Sequence, residues 1–372
     1  MFRLIPRVQH YDWGSYDALP RLTGRAPGDR PEAELWFGAH ESAPSGVPAA
    51  GGHTDLAVLY QANPKALVGA DAVRVFDGRF PFMLKVLAPT KSLSIQCHPS
   101  REQAQDATDG TYVDTWPKPE GLVAITPFET FVGMRDYADI VSLVAGLEVP
   151  ELSAIVEWAS GQDEPSVALL EALLTLDLPV RNALVRSVIG AIADREDDPA
   201  FPAIRRVAED FPGDIGLVVL LTMNHLTAMP GDYVFVPAGC LHAYQHGVAV
   251  EIMANSDNVI RAGLTPKAIN IPELLRIVRP DSAPIRRSEP PGRVRDYGVD
   301  TDYFHLYAVG PGPEATLIPG AGPRIVLSLQ DSTTVTSGPT SLELSSGDAA
   351  FLAPGEDVTV AGSGTLFVAT AG

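Results

Sequence analysis

Apolar and polar residues alternate with two different periods along the chain. Phe80-Pro81-Phe82-Met83-Leu84-Lys85-Val86-Leu87 and Leu93-Ser94-Ile95-Gln96-Cys97-His98 read as neighbouring strands, and Leu122-Val123-Ala124-Ile125 as another. Between 136 and 226 the spacing becomes helical. Ile140, Leu143, Val144 and Leu147 recur on one face, as do Leu169, Leu170, Leu173 and Leu174. Val185, Val188 and Ile189, then Ile204, Val207 and Ala208, continue the pattern, with Pro150, Pro165, Pro179 and Pro202 as punctuation. From 227 strands resume with Tyr233-Val234-Phe235-Val236 and Val248-Ala249-Val250-Glu251-Ile252. A short helix is expected over 271–278, with Pro272 near its start. Residues 280–298, rich in Pro, Arg and Ser, read as a linker, and 299–372 as a strand-forming tail.

The expectation is a mainly β chain with a helical insert. Residues 1–135 and 227–280 form one β unit, 136–226 the insert, and 281–372 a linker and second β unit. A short internal echo relates the two β units. Gly231-Asp232, an apolar strand and Pro237-Ala238-Gly239 precede His242; Gly347-Asp348, an apolar strand and Pro354-Gly355 precede Thr359. The second unit therefore reads as a related barrel that lacks the histidine.

Composition narrows the partners. The 372 residues carry 27 Lys and Arg against 46 Asp and Glu, a net charge of −19, which argues against nucleic acid and anionic membranes. An anionic ligand would need a local cluster of cations. Gly and Pro number 33 each, so many turns and short strands are expected. Two cysteines make no disulfide framework, and neither a signal peptide nor a membrane span is visible. A cytoplasmic monomer is the expectation.

Candidate chemistry lies in four segments. In Gln96-Cys97-His98-Pro99, Gln96 and His98 share one strand face and Cys97 takes the other. The same period places Lys118 and Glu120 of Lys118-Pro119-Glu120 together. Gly231, Pro237 and Gly239 set tight turns around a strand that presents His242, as in the second metal motif of the cupins. Gln, His, Glu and His are nitrogen and oxygen donors without thiolate. Zinc accepts such a set, and iron or manganese would too. One carboxylate leaves a divalent site at net +1, suited to an anionic enediolate. His246 is a weaker rival ligand, and Cys97 and Cys240 read as packing residues. The fourth segment, 251–267, concentrates acid, amide, hydroxyl and base.

Leu93–Pro99, Lys118–Glu120, Pro237–Tyr244 and Ala254–Lys267 together resemble the type I phosphomannose isomerases. Tyr11-Asp12-Trp13-Gly14-Ser15, Ala33–His40 and Phe211-Pro212-Gly213-Asp214 are similar to further signatures of that family. The likeness is strongest over 5–135 and 210–280. It implies a cupin-type jelly roll and zinc-dependent interconversion of mannose 6-phosphate and fructose 6-phosphate. It implies one zinc held by Gln96, His98, Glu120 and His242, and catalytic roles for Arg261, Lys118 and Asp257. Lys85, Ser94 and Lys267 would lie near the sugar or its phosphate, and Trp13 and Glu251 in the pocket. The chain departs from the family at Trp116-Pro117, where Asn-His is usual. Pro117 can donate no proton, so ring opening falls to another group or to water. Two other readings remain open at this level: another cupin metalloenzyme, such as an iron oxygenase, and a sugar-phosphate-binding cupin without turnover.

Overall fold

In the computed structural model, which describes residues 1–107, 110–298 and 300–372, the polypeptide stacks five layers. Helices form the first, from Tyr137–Leu147 through Pro150–Ser160, Pro165–Leu174, Leu178–Ala191 and Ala200–Asp210 to Gly216–Leu221. They cover a five-stranded sheet in the order Met223–Ala228, Phe128–Met134, His242–His246, Ile95–Cys97, Ile260–Gly263. A seven-stranded sheet faces it: Ile285–Arg287, Tyr233–Val236, Glu120–Ala124, Ala249–Ala254, Phe82–Leu87, Glu34–Phe37, Arg7–Gln9. Sheets of six and four strands from the tail complete the stack. The cupin-type core is thus a jelly-roll sandwich whose strands form two hydrogen-bonded sheets rather than one continuous cylinder.

Period-2 alternation explains how the layers share residues. On Phe82–Leu87, the side chains of Phe82, Leu84 and Val86 pack towards the tail with Leu306, Ile325 and Phe351. Lys85 and Leu87 point between the two facing sheets instead. On the opposite sheet Ile95, Cys97, Phe131, Ala243, Ile260 and Ala262 pack against the helices. Gln96, His242, Tyr244 and Arg261 are left facing inward, where they line a cavity. Both sheets are covered on their outer faces, so polar side chains gather in the space between them.

Three segments lie elsewhere than their sequence implied. Phe2–Leu4 pairs with Ala349–Leu352, so the chain start joins the tail sheet rather than the first β unit. Met223–Ala228, read as the end of the insert, pairs with Phe128–Met134. The expected linker contributes strands: Ile285–Arg287 pairs with Tyr233–Val236, and Val294–Asp296 with Phe304–Val309. Short strands of three to six residues carry too little alternation to reveal their sheet, because pairing partners are distant in sequence.

The internal echo is geometrical as well as textual. Gly231 and Gly347 have φ of +89° and +88°, and Gly239 and Gly355 have +78° and +76°. Asp232 Oδ2 accepts the N–H of Met229 at 3.0 Å, and Asp348 Oδ2 that of Ser345 at 3.0 Å. Both turns use a carboxylate to close the same three-residue bend.

Candidate metal centre and sugar-phosphate cavity

Three strands converge on one buried cluster. His98, Glu120 and His242 bring ligand atoms within 4.8 Å of one another, all buried. His98 follows Ile95–Cys97, Glu120 opens Glu120–Ala124, and His242 opens His242–His246. His98 Nδ1 donates to the Asn258 carbonyl at 2.7 Å, and His242 Nδ1 to the Cys240 carbonyl at 3.0 Å. These bonds fix each ring with its Nε2 lone pair towards Glu120. His98 Nε2 lies 3.1 Å from Glu120 Oε1 yet makes no directed hydrogen bond, and His242 Nε2 is 3.5 Å from Oε2. A buried imidazole nitrogen without a partner, beside a carboxylate and a second imidazole, fits a divalent cation.

Electrostatics prepare the same atoms. Burial pushes the His98 imidazole down to about 3, with Lys118 adding to the effect, and burial also lowers His242. Neutral imidazoles are what a metal requires. Burial alone would raise the Glu120 carboxyl, but Lys118, His98 and His242 outweigh it and hold it well below the ordinary range. Lys118 Nζ is 3.1 Å from Glu120 Oε1, and the Tyr244 hydroxyl donates to Oε2 at 2.9 Å. The period-2 placement of Lys118 beside Glu120 therefore appears as a direct contact. His246 is exposed and outside the cluster. Cys97 and Cys240 are buried free thiols, and burial raises both, Cys240 to about 12.

The cluster forms the floor of a cavity of about 880 Å³. Gln96 stands directly across from His242 on one side and Arg261 on the other, so the three share a face. Trp36, Lys85 and Glu251 form the matching row on the facing sheet. Trp13, Ser94, Lys118, Asp257 and Lys267 complete the expected set on the cavity wall, so every site residue named from sequence except His98 lines it. His98 lies just beneath, in the cluster.

Lys85 differs in setting from an open phosphate anchor. Its Nζ is 3.3 Å from Glu251 and 3.9 Å from Glu34, and 4.9 Å above the Trp36 ring. Burial alone would lower this amine; the two carboxylates overcome that and raise it. Burial pushes Glu251 up to about 8, with Glu120 adding to the rise. The rim holds two more accessible cations, Lys267 and Lys91, the latter 3.6 Å from Asp210.

Sequence reasoning assigned no role to Glu34, His40, Lys91, Asp214, Tyr244 or Asn258. Each acts through a partner distant in sequence. Asn258 donates to the carbonyls of Asp114 and Trp116 and accepts from the N–H of Val113, tying the 113–116 loop to the strand that reaches His98. Asp214 Oδ1 accepts the N–H groups of Gly216 and Leu264. This clasp holds the end of the Arg261 strand against the helices, where a Cβ on Gly263 would strike the Gly216 backbone and one on Gly216 the backbone nitrogen of Leu264. Only the alternation of Glu34 and Trp36 on one strand face offered a local signal. At the departure from the family, Trp116 is buried against Phe76 and Tyr303, with Arg101 4.4 Å from its ring centre.

Comparison with known proteins decides the family. Residues 1–137 match the model of the phosphomannose isomerase type I catalytic domain. Mannose-6-phosphate isomerase of Escherichia coli strain K12 is 34% identical, over 98% of both chains. The chain belongs to the type I phosphomannose isomerases. A relative from Bos taurus is 29% identical over 90% of this chain and 86% of its own. A crystal structure of the Salmonella typhimurium mannose 6-phosphate isomerase, bound to substrate (f6p) and zinc, superposes with a TM-score of 0.91. It is 31% identical and covers 100% of this chain and 99% of its own. A zinc-bound holo structure of mannose 6-phosphate isomerase gives a TM-score of 0.88 at 31% identity. Membership accounts for the helical layer and tail as well, since these likenesses run the length of the chain.

Proposed function

We propose that this phosphomannose isomerase interconverts mannose 6-phosphate and fructose 6-phosphate with one bound zinc. The observation that carries the reading is the buried His98–Glu120–His242 cluster at the floor of a cation-lined cavity. Gln96, His98, Glu120 and His242 would hold the zinc, which when bound supplies Lewis-acid polarisation to sugar oxygens. The chain's own groups divide the remaining work. Arg261, half-buried, offers a planar guanidinium that can hydrogen-bond two adjacent oxygens of an enediolate. Lys267, at the rim, presents a point charge to the phosphate, and Ser94 and Trp13 frame the sugar. Lys118 keeps Glu120 ionised by its contact.

Proton transfer between C1 and C2 needs a base and an acid. Their pKa values are driven apart in this cavity. A hydrogen bond from His40 lowers Asp257, leaving a carboxylate able to take a proton. Burial shifts Glu251 the opposite way, towards its protonated form. Lys85 holds Glu251 in place. The two buried thiols fit a reducing compartment, which supports a cytoplasmic enzyme, and the reading takes it as a monomer.

The test is isomerase turnover with metal analysis. Expected are about one zinc per chain, loss of activity on chelation, and its return with zinc. Full activity in a verified metal-free sample would overturn the zinc assignment. A zinc-loaded chain that binds the sugar phosphate without turnover would be a binding protein instead.

A further inference from the structure

The cavity wall contains a second pairing that lies outside the metal cluster. His40 follows the strand Glu34–Phe37 and is buried, with its ring centre 5.0 Å from that of Trp36 in an edge-to-face arrangement. Its Nε2 is 3.1 Å from Asp257 Oδ2. Its Nδ1 faces Ser42, accepting the backbone N–H at 3.3 Å and lying 2.9 Å from the hydroxyl. A ring nitrogen that accepts a backbone N–H carries no proton in the neutral imidazole. The hydrogen therefore sits on Nε2, and that N–H donates to Asp257.

Asp257 itself is exposed to the cavity, with 48% of its side chain accessible. Lys118, Lys85 and Tyr11 are the other charged or titratable groups that it senses. Its neighbour Asn258 is buried and bonded to the 113–116 loop and, through its carbonyl, to His98. The backbone on one side of Asp257 is thus fixed, while its carboxylate relies on His40 for direction.

We propose that His40 is a positioning residue. With its tautomer set by Ser42, it holds one oxygen of Asp257 and leaves the other free to face the sugar. A carboxylate that must act on a substrate proton gains from such support, because an exposed side chain left unsupported samples unproductive rotamers. The inference rests on the isomerase reading above and deepens it, since His40 touches Asp257 and not the sugar.

The experiment compares zinc-loaded wild type with His40→Leu, His40→Gln, Asp257→Asn and the double variant His40→Leu/Asp257→Asn. It reads kcat and KM on mannose 6-phosphate, with zinc per chain. His40→Leu should lower kcat roughly 10- to 100-fold, the range typical of lost outer-shell support. KM should move less than about threefold and zinc should stay unchanged, the signature of a contact that serves chemistry rather than binding. The Gln amide can still donate, so His40→Gln should recover most of the loss. In the Asp257→Asn background, His40→Leu should cost less than about twofold, because the coupled partner is already gone. Equal losses in both backgrounds, or a Gln variant no better than Leu, would overturn the proposal by showing a general structural role. Should His40→Leu fail to fold, His40→Asn replaces it, its shorter amide falling short of Asp257. Wild-type turnover is measured first: its absence overturns the isomerase reading and this inference with it, whereas active wild type with an unchanged His40→Leu kcat overturns this inference alone.

Discussion

Lys85 and Arg261 are both cations in one cavity, and their surroundings give them different work. Lys85 is enclosed by Glu34 and Glu251 beneath the Trp36 ring. Lys85→Met would leave the buried Glu34 carboxylate without its cation, at a cost of ~3–5 kcal/mol, the scale for breaking a buried pair. Urea unfolding should show that loss together with a fall in kcat. A selective rise in KM at unchanged stability would mean that Lys85 binds phosphate after all. Among the described residues Arg261 forms no salt bridge, and it stands across from Gln96. Arg261→Lys should lower kcat ~10²–10³-fold with little change in KM, as for one lost preorganised donor. Lys267→Ala should raise KM instead, and that effect should vanish with unphosphorylated mannose. If Arg261→Lys changed only KM, and only for the phosphorylated sugar, the two roles would be reversed.

At the scale of elements, the site depends on how sheets and helices are fastened. Glu129 of Phe128–Met134 receives His225 Nε2 at 2.9 Å from the adjacent strand. It also receives Arg206 at 2.5 and 2.6 Å from helix Ala200–Asp210. Burial would raise this carboxyl, but His225 and Arg206 outweigh it and bring it to about 2. An unfolded glutamate titrates near ~4.3. The stabilisation is therefore fully present above ~4.3 and is lost as pH falls from there towards about 2. Glu129→Gln should cost ~1–2 kcal/mol at pH 7 after allowance for solvent screening, and little once the pH is below about 2. Thermal unfolding of both proteins across this range checks it; a constant difference at all pH values would exclude the ion pair as its source. Element types were largely readable from sequence. The helices follow 3.6-residue spacing, and Tyr233–Val236 appears where the apolar run placed it. The strands Met223–Ala228 and Ile285–Arg287 were not readable, since both owe their place to partners far along the chain.

For the molecule as a whole, the tail packs behind the seven-stranded sheet, with Phe304, Ile325 and Phe351 in one core with Leu35, Leu84 and Ile252. It meets the outer face of that sheet, while the metal cluster lies on the inner one. Asp348 closes a tail turn by accepting from Ser345 and pairs with Arg3 at 2.6 Å. Asp348→Asn should lower the unfolding temperature slightly while zinc per chain and kcat stay near wild type. A folded variant that lost its zinc would show the tail to be part of the metal centre.

Sequence by itself determined the donor types and much of their local placement. Gln96, Glu120 and His242 face the site because strand geometry fixes side-chain direction two residues at a time, and that rule needs no partner; Lys118 reaches Glu120 from the loop before the strand. Turn chemistry did likewise for Gly231 and Gly239, whose positive φ the spacing anticipated. Tertiary structure alone decided what each charge meets. Lys85 lies between Glu34 and Glu251, His40 behind Asp257, and Asp214 against Leu264 because strands and loops far apart in the chain are brought into register. A buried charge takes its protonation and its role from neighbours within a few ångströms. Those neighbours are set by sheet pairing, whose long-range register no local pattern encodes.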